Sequence, residues 1–197
     1  MRQGELIILN AAPDLVKRLQ PTIRRDNSRM LRDKNLIPLS HQHQHALALC
    51  VRIDRAVQAG DVDLPAWCAE IHQTFQQEIA IHFDAEEKVL FPAAVKAGLE
   101  PLVKELLEDH STLRQNFSRA ATKSMDAPEL HAFSGRLSAH IRKEERQLFE
   151  DMQRLISSTE MSELGAALDK ELAMASDACA LPTHSTRLRS KAELEKL

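Results

Sequence analysis

The stretch His82-Phe83-Asp84-Ala85-Glu86-Glu87-Lys88-Val89-Leu90-Phe91 constrains this chain more than any other. On a helix His82 and Glu86 project from one face about a turn apart, so an imidazole and a carboxylate can meet one ion or an adjacent pair. The device recurs in His140-Ile141-Arg142-Lys143-Glu144-Glu145-Arg146-Gln147-Leu148-Phe149, with the same frame of His, two Glu, Leu and Phe. One His-xxx-Glu is common in helices. Two copies with matched Leu-Phe pairs are not.

The surrounding residues read as helices. Ser40 after Pro38 suggests an N-cap for a first helix through Leu47, Cys50 and Val57 to Gly60. Pro65 suits the first position of a second, which carries Phe75, Ile79, His82, Glu86 and Leu90 at a helical period until Pro92 ends or kinks it. A third spans about 100–123 with Leu106, His110, Leu113 and Phe117 on one stripe. A fourth carries Phe133, Leu137, His140, Glu144 and Leu148 and ends near 157–158. The expected fold is all-α, an up-down-up-down four-helix bundle over residues 36–157. An N-terminal helical extension (1–35) with basic clusters precedes it, as a packing extension or homo-oligomer contact, with a patch for an anionic partner as the alternative. An extra helix capped at Thr159 and running to about 175, then a mobile tail, complete residues 158–197.

Composition excludes several classes. A formal net charge of −3 over 197 residues gives no reason to expect nucleic acid as a partner. No apolar run reaches the ~18 residues of a membrane span, and no signal-peptide core is evident, so a cytoplasmic protein without membrane contact is expected. Cys50, Cys68 and Cys179 form no CxxC, which argues against a disulfide framework or zinc ribbon. The absence of tyrosine opposes a tyrosyl-radical role, and no Glu-x-x-His pair supports a ferritin-type site.

Aligning the stripes gathers His82, Glu86, His110, His140 and Glu144 toward one interior. The first helix offers His41, His43 and His45. His43 shares the stripe of Leu47 and Cys50 and is preferred; the other two are offset by two residues, roughly 160° to 200° around the helix, and stay open as alternatives. With these six residues the chain resembles the hemerythrin-like HHE cation-binding family, over about residues 36–157. The resemblance implies a non-haem di-iron centre: two iron ions bridged by Glu86 and Glu144, one held by His43 and His82, the other by His110 and His140. Manganese and zinc are also compatible with imidazole and carboxylate donors. Glu87 and Glu145, next to ligands, are read as solvated or as hydrogen-bond partners of ligands. His72, His131 and His184 are read as structural or solvated.

One departure bears on function. Oxygen-carrying hemerythrins have a further histidine one turn after the third-helix ligand, and this chain has Arg114 there. Their last-helix carboxylate also follows its histidine at a wider spacing. Reversible oxygen carriage is therefore disfavoured. The leading expectation is a module that binds or senses oxygen, nitric oxide, peroxide or iron. The alternatives are a di-iron enzyme consuming peroxide or nitric oxide in stress defence, and an iron buffer. The related iron–sulfur repair proteins carry a cysteine-bearing N-terminal domain, whereas residues 1–35 contain no cysteine.

Overall fold

The computed structural model describes residues 31–60, 62–173, 175 and 182–188. All lie in one compact unit, Leu31–Leu197. The expected extension helices before residue 31 and most of the tail after 175 lie outside the described residues, which contain helices and no strand.

A 3₁₀ turn, Lys34–Leu36, leads into α1 (Ile37–Ala59). The expected cap at Ser40 is corrected: Asp33 caps the 3₁₀ turn by accepting from Asn35 N, and Pro38 occupies the first turn of α1. Ser40 lies inside the helix and donates instead to Glu145 Oε1 at 2.7 Å. Gly60, with φ 70°, closes α1 in the left-handed region that a side chain disfavours.

The second helix, α2, covers residues 64–96, with Asp63 as its N-cap accepting from Ala66 N. It is continuous but contains two π-turns, Phe75–Ile79 and Glu86–Leu90. Pro92 therefore does not end it. The wide turn at 86–90 lets the α-helix restart at Phe91, and Pro92 falls in that new first turn, where a missing N–H costs little.

Helix α3 is Glu100–Ala121. Helix α4 covers 127–155 and holds a third π-turn at Glu144–Leu148, after a capping box between Asp126 and Glu129. Helix α5, Ser158–Leu172, begins with a capping box between Ser157 and Glu160, so Ser157 takes the role expected of Thr159. The serine precedes the acidic residue by the three positions a capping box needs; Thr159 does not.

The side chains sort into two apolar clusters. One gathers Leu49, Ile53, Trp67, Ile71, Phe117 and Phe133; the other gathers Leu39, Phe91, Leu106, Phe149, Met152 and Leu168. Helix α1 packs on α4, α2 on α3, and α5 on the 3₁₀ turn and the middle of α2. Close approach of α5 rests on Gly165, where a Cβ would stand 2.6 Å from Asn35 Cβ. Near the far end of α1, Arg52 pairs with buried Glu70 at 2.5 Å and donates to the Thr186 carbonyl at 3.0 Å. Among the described residues no helix is long and apolar enough to cross a membrane.

Candidate metal centre

The seam between the two apolar clusters is where the polar residues sit. Along α1 the order is Leu39, His43, Ala46; along α3 it is Leu106, His110, Leu113. On α2 and α4 the ligand candidates likewise stand between residues of the first cluster and residues of the second. Each helix thus delivers its polar residues to one level, flanked on both sides by apolar packing that keeps water out.

All six predicted residues meet there, and all are buried; Glu86, His110 and Glu144 are fully so. They form two overlapping groups, His43–His82–Glu86–Glu144 and Glu86–His110–His140–Glu144, with ligand atoms within 4.8 Å of one another in each. Glu86 and Glu144 belong to both. Of the first-helix alternatives, His41 is exposed and His45 turns to Glu78, bonding its Oε1 at 2.9 Å, so neither enters the groups.

The distances suit shared ions. His43 Nε2 lies 3.0 Å from His82 Nε2, and His110 Nε2 3.2 Å from His140 Nε2. Two nitrogens each about 2.1 Å from one ion, at right angles, stand about 3 Å apart. Carboxylate oxygens approach similarly: Glu86 is 3.1 Å from His82 and 3.3 Å from His110, and Glu144 is 3.2 Å from His43 and 3.3 Å from His140. None of the carboxylate–imidazole pairs has hydrogen-bond geometry, so all four oxygens of Glu86 and Glu144 are buried without a hydrogen-bond partner. Two such carboxylates are costly unless a cation meets them. The donor set fits a cation pair.

The outer nitrogens explain why the inner ones point inward. His43 Nδ1 is 2.7 Å from Glu145 Oε1, His110 Nδ1 is 2.7 Å from Glu87 Oε1, and His82 Nδ1 is 2.7 Å from Gln42 Oε1. His140 Nδ1 faces Asp109 Oδ2 at 3.6 Å. At His43, His110 and His82 the acceptor at Nδ1 draws the proton there and leaves the Nε2 lone pair for a metal; His140 Nδ1 is buried without a hydrogen-bond partner. Glu87 and Glu145 thus stand as hydrogen-bond partners of two candidate ligands, His110 and His43. Gln42 and Asp109 were not singled out from sequence; their only signal was adjacency to His43 and His110.

The electrostatics of the metal-free site follow. Burial disfavours the His43 imidazolium, but the carboxylates of Glu144, Glu145 and Glu86 outweigh it and push its pKa up to about 10. His110 is likewise raised against its burial by Glu86, Glu144 and Glu87. Burial would raise Glu86, yet His82 and His110 hold its carboxyl well below the usual range. Without metal, protons on imidazoles balance the two carboxylates.

The π-turns also belong to the site. Two of the three begin at Glu86 and Glu144 themselves. The extra residue in each turn lets Leu90 and Phe91, and Leu148 and Phe149, all be buried below the ligands. Arg114, where an oxygen carrier would place a histidine, points outward: it pairs with Glu87 at 2.5 Å and lies over Phe83 at 5.3 Å. Cys50 is buried on the same face of α1 but joins neither group. His72 is half-buried and His131 and His184 are exposed, outside both groups.

No curated protein and no solved structure matches the chain. A family model does: the hemerythrin HHE cation binding domain aligns with residues 38–152, more than half of the 197, and the chain therefore belongs to that family.

Proposed function

We propose that this protein holds two iron ions as a non-haem di-iron centre and uses it to bind or sense a small ligand: oxygen, nitric oxide, peroxide, or iron itself. The observation that carries this reading is the sharing of Glu86 and Glu144 between two groups of four ligand atoms, with every carboxylate oxygen otherwise unpartnered. His43 and His82 would serve one ion, His110 and His140 the other. A bound iron pair supplies open coordination positions and a change of oxidation state. The bundle we propose around it is up-down-up-down; the alternating order in which α1 to α4 traverse the two apolar clusters supports that topology.

The chain's own residues limit what can reach the centre. Beside it lies a cavity of about 10 Å³, lined by His43, Ala46, Ile79, His82, Phe83 and Leu137 among others. That is room for one water-sized molecule. So small a space suits the smallest ligands, and a larger organic substrate does not fit it. Complete burial of both bridging candidates opposes rapid exchange of metal, which favours ligand binding over iron buffering.

The test is metal analysis of the full chain produced with iron supplied, followed by optical spectra of the reduced protein as oxygen, peroxide and nitric oxide are added in turn. About two irons per chain and a distinct adduct with one ligand are expected, with His82→Ala lowering the iron content. Far less than two metals, unchanged by that substitution, would sink the reading. Repeated turnover of peroxide or nitric oxide would make the protein an enzyme rather than a sensor.

A further inference from the structure

The four imidazoles are alike at the centre and unlike at their outer nitrogens. Three face a carboxylate that is itself held by a cation. His43 meets Glu145, whose other oxygen takes Arg32 at 2.6 Å. His110 meets Glu87, which takes Arg114 at 2.5 Å. His140 faces Asp109 only at 3.6 Å, too far for a hydrogen bond, so its buried Nδ1 has a carboxylate nearby but no hydrogen-bond partner; Asp109 takes Lys143 at 2.9 Å. The fourth, His82, meets the neutral amide oxygen of Gln42 at 2.7 Å. A carboxylate at Nδ1 raises the donor strength of the imidazole and adds negative charge near the ion; an amide does so far less. Arg32 takes the other oxygen of Glu145, whereas Arg114 and Lys143 hold the same oxygen that faces the imidazole.

The packing is unequal in the same sense. His110 is clamped between Phe83, stacked at 3.7 Å, and Phe91 at 5.3 Å, and does not line the cavity. His43 and His82 both line it, together with Gln42, and only His140 of the other pair reaches it. Gln42 and Glu78 also line a larger outer groove with Lys34, His41 and His45. The cavity and the surface groove therefore share two wall residues, on the side of His43 and His82.

We infer that the two ion positions are inequivalent, and that Gln42 is the positioning residue that makes the His43/His82 position the weaker-held and more exchangeable one. This rests on the two-ion reading above, and deepens it by assigning different roles to the two halves of one site. Gln42 does not touch an ion. It acts through His82, whose ring it orients and behind which it places a neutral amide where His43 and His110 have a hydrogen-bonded carboxylate.

The experiment is a calorimetric titration of the metal-free full chain with zinc, chosen as a redox-inert probe. Two binding steps are expected, separated by tenfold or more, the range over which partners of ligands alter affinity. Gln42→Glu, nearly identical in shape, should tighten the weaker step about tenfold and leave the tighter step in place. Gln42→Ala should loosen the weaker step alone. Two equal steps in the natural chain, or a Gln42→Glu effect confined to the tighter step, would overturn the inequivalence while leaving the two-ion centre standing. A total below two ions per chain would overturn the centre itself. Circular dichroism of each variant separates either outcome from misfolding.

Discussion

At the scale of single residues, the site is a problem of buried charge solved twice. Glu86 and Glu144 are fully buried with no hydrogen-bond partner, so something positive must face them. In the metal-free protein protons on imidazoles serve, and His43 carries the clearest signature, its pKa pushed up from 6.5 to about 10. The sign follows from the raised value. The folded state holds this proton more tightly than the unfolded chain, so its stabilising contribution is complete below pH 6.5 and is lost as the pH rises toward 10. Urea denaturation of the metal-free protein should show stability falling across that window, and His43→Gln should flatten the fall. Metal must displace the same proton. Titrations near pH 8 in buffers of different ionisation enthalpy should therefore report proton release on binding; identical heats in all buffers would contradict the assignment.

Replacing a shared carboxylate should cost more metal than replacing a terminal imidazole. Glu86→Gln is expected to bring the metal content of the full chain well below one per chain, because both groups of ligand atoms include Glu86. His82→Ala should leave about one, held at the other position. Equal losses in the two variants, measured by metal analysis, would argue against a bridging role for Glu86.

At the scale of elements, the helices owe their polar level to two different devices. The stripes of α1 and α3 are plain α-helical periodicity, and residues such as Leu106, His110, Leu113 and Phe117 show it directly. The stripes of α2 and α4 also need π-turns, which no spacing rule announced. The paired Leu-Phe after each His-xxx-Glu-Glu was visible as a repeat, but its cause, an extra residue in the turn that buries two neighbours at once, was not. Pro92 does not end the helix for the same reason: an ideal helix predicts a clash that the widened turn removes. Element packing can be tested at Gly165, where α5 presses on the 3₁₀ turn. A Cβ there would press on the whole Asn35 side chain, its Cβ and Cγ as well as its Oδ1 tip, so turning the tip aside does not relieve the contact. Gly165→Ala should destabilise the protein by about 1–3 kcal/mol, despite the better helix propensity of alanine. A shift of the urea midpoint to lower concentration with unchanged slope is the expected readout.

At the scale of the whole molecule, the centre joins four helices whose largest contacts are α1 with α4 and α2 with α3. Each helix contributes at least one residue to it. Metal that binds only the folded arrangement stabilises it by mass action, about 2.7 kcal/mol at a hundredfold excess over the dissociation constant. Chelation should lower the melting temperature, and restoring metal should recover it. Unchanged melting after complete removal would mean that the bundle does not depend on the site.

The amino-acid sequence by itself determined that the chain is helical, that four stripes carry polar residues, and which six residues belong together. Periodicity reports the facing of a side chain on its own helix, which is why His43 could be preferred over His41 and His45. Spacing along the chain did not determine how those residues divide into two groups; the family resemblance implied the division, and the distances between helices show it. Tertiary structure alone decided that Gln42 stands behind His82 while Asp109 stands behind His140. Such partners are chosen across helix interfaces, by rotation and depth rather than by spacing along the chain, and the difference between one amide and three carboxylates appears only once the helices are packed.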